Sequence, residues 1–251
     1  MRCLGVFLRF LSCLVALAIL PQAALSGSFQ RDALEHVVSA CAFTKRTVGV
    51  SFPCLDVKTG GPKGGDYAVV RAPQFRTEVL IVPVDDIAGI EDPALQTASS
   101  AHLWQAAWEA RHFVSDALWR NLPRGAVGLA VNSVGGRSQD RFHIHVDCLD
   151  PRVERALLAG KDRIGDRWQR FPWPLAGRRY WARAVESTDL AGVNVAALIS
   201  RGLPGARTSM KRVSVAIVGT TLANGREGFL LLANDSNVVA ETLLDHSCRA
   251  F

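Results

Sequence analysis

The 251-residue chain is short of several features that would classify it quickly. None of its six cysteines forms a Cys-x-x-Cys pair, so neither a zinc ribbon nor a thioredoxin-type redox motif is indicated. It has no apolar run of the ~20 residues that a spanning helix needs. No Pro/Gly/Ser-rich linker divides it, which favours one large domain over two small ones. Apart from His143 and His145 it offers no His/Cys cluster that would complete a metal site, and no metal is expected.

Hydrophobic residues make up 49% of the chain, a globular composition. The N-terminus has the form of an export leader. Arg2 and Arg9 are basic, and Phe10–Leu20 is an uncharged, largely apolar run of 11 residues. Pro21 ends that run, and Ala23, Ala24, Ser26 and Gly27 are small enough for a cleavage site. Residues 1–26 are expected to be a signal peptide or an uncleaved N-terminal anchor, with residues 27–251 as the catalytic domain. Either form places that domain on the far side of a membrane.

Cysteine usage agrees with export. Cys3 and Cys13 fall in the leader, leaving Cys41, Cys54, Cys148 and Cys248. Four cysteines in an oxidising compartment allow three pairings. The favoured one is Cys41–Cys54, closing a short loop, with Cys148–Cys248 fastening the C-terminal end to a central strand. Four buried free thiols are the alternative.

The formal charge is +6, and two of the arginines belong to the leader. Lys161–Arg183 holds seven basic residues against two acids, with Trp168, Phe171, Trp173, Tyr180 and Trp181 interleaved. Such a segment suits an anionic membrane surface. It equally suits a solvated basic loop whose aromatics are core. Nucleic acid is a poor partner for an exported protein.

Periodicity predicts helices at 28–41, 100–121, 151–160 and 189–201, and a short one at 239–246. Two hairpins are predicted, 66–71 with 78–83 and 213–220 with 228–233, the second through Asn224-Gly225. Further strands are predicted at 126–132, 140–149 and 179–185. The mixture is α+β, and the recurrence of strand, helix and hairpin suggests a degenerate duplicated half.

The segment from Asn132 to Cys148 carries the chemistry. On a strand, Phe142, Ile144, Val146 and Cys148 share one apolar face, while His143, His145 and Asp147 share the other. An imidazole is a competent nucleophile when one ring nitrogen is held and the other is free. Attack on phosphorus also needs donors around the phosphoryl oxygens. The preceding loop offers Arg137, Ser138 and Gln139, with Gly135 and Gly136 allowing close backbone approach. Two surface histidines on a half-exposed strand, or a metal site with His143, His145 and Asp147 as ligands, are the rival readings.

Asn132, Gln139, His143 and His145 stand in the order and spacing of the histidine-triad (HIT) pattern, and the chain resembles that superfamily. It is most similar to the bacterial CDP-diacylglycerol pyrophosphatases. The similar stretches include Asp66-Tyr-Ala-Val-Val, Leu80-Ile-Val-Pro, Ile90-Glu-Asp-Pro, Trp104 to Phe113, Phe142-His-Ile-His and Asp245-His-Ser-Cys. The resemblance implies a HIT-like antiparallel sheet with packed helices. It also implies hydrolysis of CDP-diacylglycerol to phosphatidic acid and CMP at the periplasmic face of the inner membrane. His145 would be the nucleophile and His143 would help polarise the phosphoryl group, with no cofactor. Asn132, Arg137, Ser138, Gln139 and Asp147 are the expected substrate-binding residues. Asp147 stands where the pattern has its third histidine, and an ionised carboxylate there cannot donate to phosphate.

Overall fold

The computed structural model describes residues 31–60 and 65–250; the expected leader lies outside them. Nine strands are present among the described residues: β1 Asp56–Lys58, β2 Tyr67–Arg71, β3 Val79–Pro83, β4 Val127–Val131, β5 Ile144–Cys148, β6 Gln169–Arg170, β7 Trp181–Glu186, β8 Ser214–Thr221 and β9 Glu227–Asn234. They form one antiparallel sheet in the order β1-β2-β3-β5-β4-β8-β9-β7-β6.

Strand alternation gives the two sides of this sheet different roles. On one side Ile81, Ile144, Val146, Leu129, Ile217 and Leu231 enter a single continuous core. Helices α2 Ala101–Glu109, α3 Arg111–Leu118 and α5 Val195–Gly202 supply Trp104, Trp108, Val114 and Ile199 to that core. Each fully buried Ile, Leu or Val contributes about 1.5–3 kcal/mol relative to exposure. On the opposite side, α1 Ala33–Val48 lays Leu34 and Val38 over Ala68, Val70, Leu80 and Val82. Helix α4 Pro151–Gly160 lays Val153 and Leu157 near Ala216, Val218, Leu230 and Leu232. Between these two smaller cores lie His143, His145 and Asp147, beside a small apolar cluster of Ala130, Ala240 and Leu244.

Several expected elements end elsewhere. Helix α1 runs on to Val48, where Gly49 adopts φ 76° and closes it; its expected start lies outside the described residues. The expected 100–121 helix is two pieces, and Trp119 at φ 57° ends the second before Pro123 is reached. Trp119 is 89% exposed. Helix α5 begins only at Val195, where the Asn194 side chain accepts from Ala197 N–H. At the C-terminus the expected helix is one 3₁₀ turn, Ala240–Leu243. Leu244 pairs there with Leu149, and Asp245 N–H donates to Cys148 O at 2.8 Å, which holds the chain extended.

In the basic–aromatic segment, Phe171 and Tyr180 are buried and Trp173 packs beside them. Trp168 donates its indole N–H to Leu198 O. The arginines stay outside, Arg170 lying over Trp181. These aromatics serve the interior. Among the described residues no helix is long and apolar enough to cross a membrane.

Candidate active site

His145 lies on β5 opposite Leu80 of β3 and Ala130 of β4. Diagonal neighbours on one sheet face are within reach of long side chains. Glu78, two residues before Leu80, places Oε1 2.7 Å from His145 Nδ1. Asn132, two residues after Ala130, places Nδ2 3.4 Å from His145 Nε2. A carboxylate accepts only, so Nδ1 carries a proton toward Glu78, while Nε2 has the Asn132 amide beside it. His143 stands just before the strand, its Nδ1 2.7 Å from Arg141 O, with its ring centroid 4.7 Å from that of His145.

The C-terminal segment completes the cluster. Cys148 is disulfide-bonded to Cys248, and Cys41 to Cys54, with S–S distances of 2.00 and 1.98 Å. Gly128 leaves room for Leu244 where the segment crosses β4. A Cβ there would come within 2.8 Å of Leu244 Cδ2. The crossing brings in Glu241 and His246. Glu241 Oε2 accepts from Asn132 Nδ2 at 2.9 Å and lies 3.4 Å from His145 Nε2. His246 sits among three carboxylates: 2.9 Å from Asp147, 3.2 Å from Glu241 and 3.8 Å from Glu78. Its ring stacks on Phe75 at 4.1 Å.

These contacts set the charges. Burial disfavours a charged His246, but hydrogen bonds to Asp147 and Glu241 and the field of Glu78 outweigh it and lift its pKa to about 10. His246 is therefore a cation at neutral pH. Burial would raise Glu241, yet hydrogen bonds from His246 and Asn132 and the nearby His145 bring it down to about 2. His143 moves the other way. Burial, then the neighbouring His145, lower it to about 3, so it stays neutral.

His143 and His145 form the floor of a cleft of about 380 Å³. Arg71, Glu78, Glu241, Ser138 and Gln139 are among its polar lining residues, and Leu34, Val37, Pro53, Phe75 and Leu80 among its apolar ones. The two imidazoles are buried by ordinary measure, at 6% and 7% exposure, but they face this opening rather than packed interior.

The other expected substrate-binding residues divide. Ser138 and Gln139 reach the cleft, and Gln139 Oε1 also accepts from Leu34 N–H at 3.0 Å, tying α1 to the loop. Asn132 positions His145 and Glu241 rather than lining the opening. Arg137 is committed to Glu91 at 2.8 Å and does not line the cleft. Asp147 is fully buried and holds His246, because a carboxylate in this row can satisfy itself only with a donor. The backbone at Gly135 approaches Asn237, whose Oδ1 accepts from Gly135 N–H, and a Cβ there would collide with the Asn237 amide.

Three site groups escaped the sequence reading: Glu78, Glu241 and His246. For His246 a signal existed. If Cys248 is bonded to Cys148, the residue two before it must lie beside Asp147. Nothing local marks Glu78 or Glu241. Glu78, His145 and Glu241 each offer a ligand atom within 4.8 Å of the others, a spacing that a metal ion could bridge. The group Asp147, Cys148 and Cys248 is similarly close, but its sulfurs are joined to each other.

Comparison with known proteins gives three findings. A family model described as CDP-diacylglycerol pyrophosphatase matches residues 29–251. A CDP-diacylglycerol pyrophosphatase of Yersinia pestis is 36% identical over 225 residues, covering 87% of this chain and 84% of that one. Among solved structures, yeast Ap4A phosphorylase in complex with Ap4A is 14% identical with a TM-score of 0.37, over 70% of this chain and 60% of that one.

Proposed function

The chain belongs to the CDP-diacylglycerol pyrophosphatase family, a family of phosphoanhydride hydrolases, and on that premise we propose that it cleaves CDP-diacylglycerol through a cytidylyl-histidine intermediate. The observation that carries this reading is the His145 geometry: Nδ1 held by Glu78 at 2.7 Å, on an imidazole that lines the cleft.

In the first step Nε2 attacks the cytidylyl phosphorus. The N–P bond forms, the bridging P–O bond breaks, and phosphatidate departs with the electron pair. Glu78 stabilises the imidazolium that develops, as an acceptor on the remote nitrogen does for other histidine catalysts. Neutral His143 and the Ser138–Gln139 loop supply donors toward the phosphoryl oxygens. In the second step water attacks phosphorus and the N–P bond breaks. CMP leaves, and Glu241, 3.4 Å from Nε2, orients the attacking water as a hydrogen-bond acceptor while the water's proton passes to solvent. His246 offsets one of the three carboxylate charges, so an anionic diphosphate meets less repulsion than the three would impose without it.

Residues 1–26 act as the leader in this proposal and put the enzyme at the periplasmic face of the inner membrane. A divalent ion on Glu78, His145 and Glu241 is the competing arrangement.

Mass spectrometry of enzyme quenched during turnover tests the route. A cytidylyl adduct on His145 is expected. Turnover without any adduct, together with activity abolished by a chelator and restored by a divalent ion, would replace this route with the metal-assisted one.

A further inference from the structure

Apolar surface is unevenly distributed over the molecule. Of the seven large hydrophobic side chains left exposed among the described residues, five fall within thirteen positions: Phe43 at 67%, Val48, Val50, Phe52 at 74% and Leu55. They sit at the C-terminal end of α1 and on the loop that the Cys41–Cys54 disulfide closes. That loop has a definite shape. Thr44 Oγ1 lies 2.8 Å from Phe52 O and 3.0 Å from Cys41 O, Cys54 N–H donates to Ser51 O at 2.8 Å, and Leu55 N–H donates to Val69 O at 2.8 Å. A shaped loop that presents aromatic and aliphatic groups outward is a contact surface rather than a failed core.

Two further observations name the contact. The surface is continuous with the cleft, because Pro53 of the same loop lines the apolar wall that begins at the catalytic histidines. Among the charged groups here, Arg46 pairs with Asp66 at 3.1 Å and Lys58 with Asp56 at 2.9 Å, which leaves Lys45 as the excess positive charge beside the apolar groups. Aromatic and aliphatic tips combined with basic side chains match the interface of an anionic bilayer.

We propose that Phe43–Leu55 docks on an anionic lipid surface and passes the acyl chains of the substrate along the Leu34–Val37–Pro53 wall. The inference deepens the lipid-nucleotide reading of the site and rests on it. It gives the cleft a direction: the cytidine diphosphate end lies at His145, and the diacylglycerol end leaves toward the disulfide-closed loop. The basic–aromatic segment 161–183 buries Phe171 and Tyr180 and leaves fewer apolar side chains exposed than Phe43–Leu55 does.

The test compares two double variants of the full chain, Phe43→Ser/Phe52→Ser and Val48→Ser/Val50→Ser, with the parent. These side chains are mostly exposed, so folding is expected to survive. Each protein is assayed on long-chain CDP-diacylglycerol in phosphatidylcholine–phosphatidylglycerol vesicles and on a water-soluble short-chain analogue. The expected result is a drop of about tenfold in the ratio of vesicle to soluble kcat/KM for both variants, since interfacial binding scales with inserted apolar area. An unchanged ratio in both overturns the docking surface, whether or not absolute rates fall. Apolar pairing with a second copy, seen as a parent dimer and monomeric variants in lipid-free buffer, overturns it as well. Should the parent hydrolyse neither substrate, the functional reading fails by itself. Co-sedimentation with the same vesicles, reduced in both variants or unaltered, then decides the docking surface.

Discussion

Ile144 and Val146 point from β5 into a core of aliphatic and indole groups. His143, His145 and Asp147 point from the other side of the same segment into imidazoles, carboxylates and a cleft. Both sides are buried, so exposure does not separate them. What separates them is the covering layer. Three helices close the first side with largely apolar side chains. The second is covered by α1 and α4 at its flanks and by the C-terminal segment in its middle. The polar row therefore finds Glu78 on β3, Asn132 after β4, and Glu241 and His246 on that segment. A buried polar row without such partners would be strongly destabilising.

Substitutions on the two sides are accordingly expected to separate activity from stability. The largest effect belongs to His145→Gln, which keeps a donor for Glu78. It should lower kcat by at least ~10⁴-fold, as loss of a nucleophile does, with little change in the thermal unfolding midpoint. A folded variant retaining near-parental turnover would exclude His145 as the nucleophile. On the opposite side Ile144→Ala should cost about 2–5 kcal/mol in a denaturant titration, from lost transfer energy and a residual cavity. Its kcat per folded molecule should stay close to that of the parent. A large kcat loss there would mean that the two sides are not independent.

His246→Gln comes next. It removes the cation that three carboxylates surround, and a kcat loss of about 10²–10³ is expected, the size of one lost electrostatic contact in a buried site. The acid limb of the kcat–pH profile should also move up, because Glu241 is held low partly by His246. A stability loss with an unmoved pH profile would reduce His246 to a structural role.

The smallest effect concerns pH. His143 is depressed to about 3, so between its unfolded value near 6.5 and about 3 the unfolded chain binds a proton that the folded chain does not. Stability must fall as pH drops through that window. His143→Gln removes this term, and its unfolding midpoint should decline less between pH 7 and 4. The difference is expected at about 2–4 °C for each kcal/mol relieved in a domain of this size. Parallel declines in parent and variant would mean that His143 protonates freely in the fold.

Much of β5 was legible beforehand because alternation is local: two-residue periodicity alone assigns Phe142 and Ile144 to one side and the histidines to the other. The two hairpins were legible for the same reason, with Gly225 at φ 79° in the second turn. The misread positions depended on distant contacts. Arg137 had the chemistry of a phosphate ligand, but Glu91, 46 positions away, holds it. Asp147 looked like an ill-suited phosphate contact until His246, 99 positions away, was seen beside it. The C-terminal run has helical periodicity, yet pairing with Leu149 and Cys148 keeps its end extended.

The order of residues alone thus gave the α+β class and the two-sided strand, and it singled out His143 and His145 as candidates whose roles came from the family resemblance. Only the folded chain decided which groups hold those imidazoles, where the cation that offsets Asp147 comes from and which surface is left apolar. Hydrogen bonds and ion pairs act over about 3–4 Å, and the sequence places Glu78, His145, Glu241 and His246 far apart. It took antiparallel register, the side chain missing at Gly128 and the Cys148–Cys248 bond to bring them within that range.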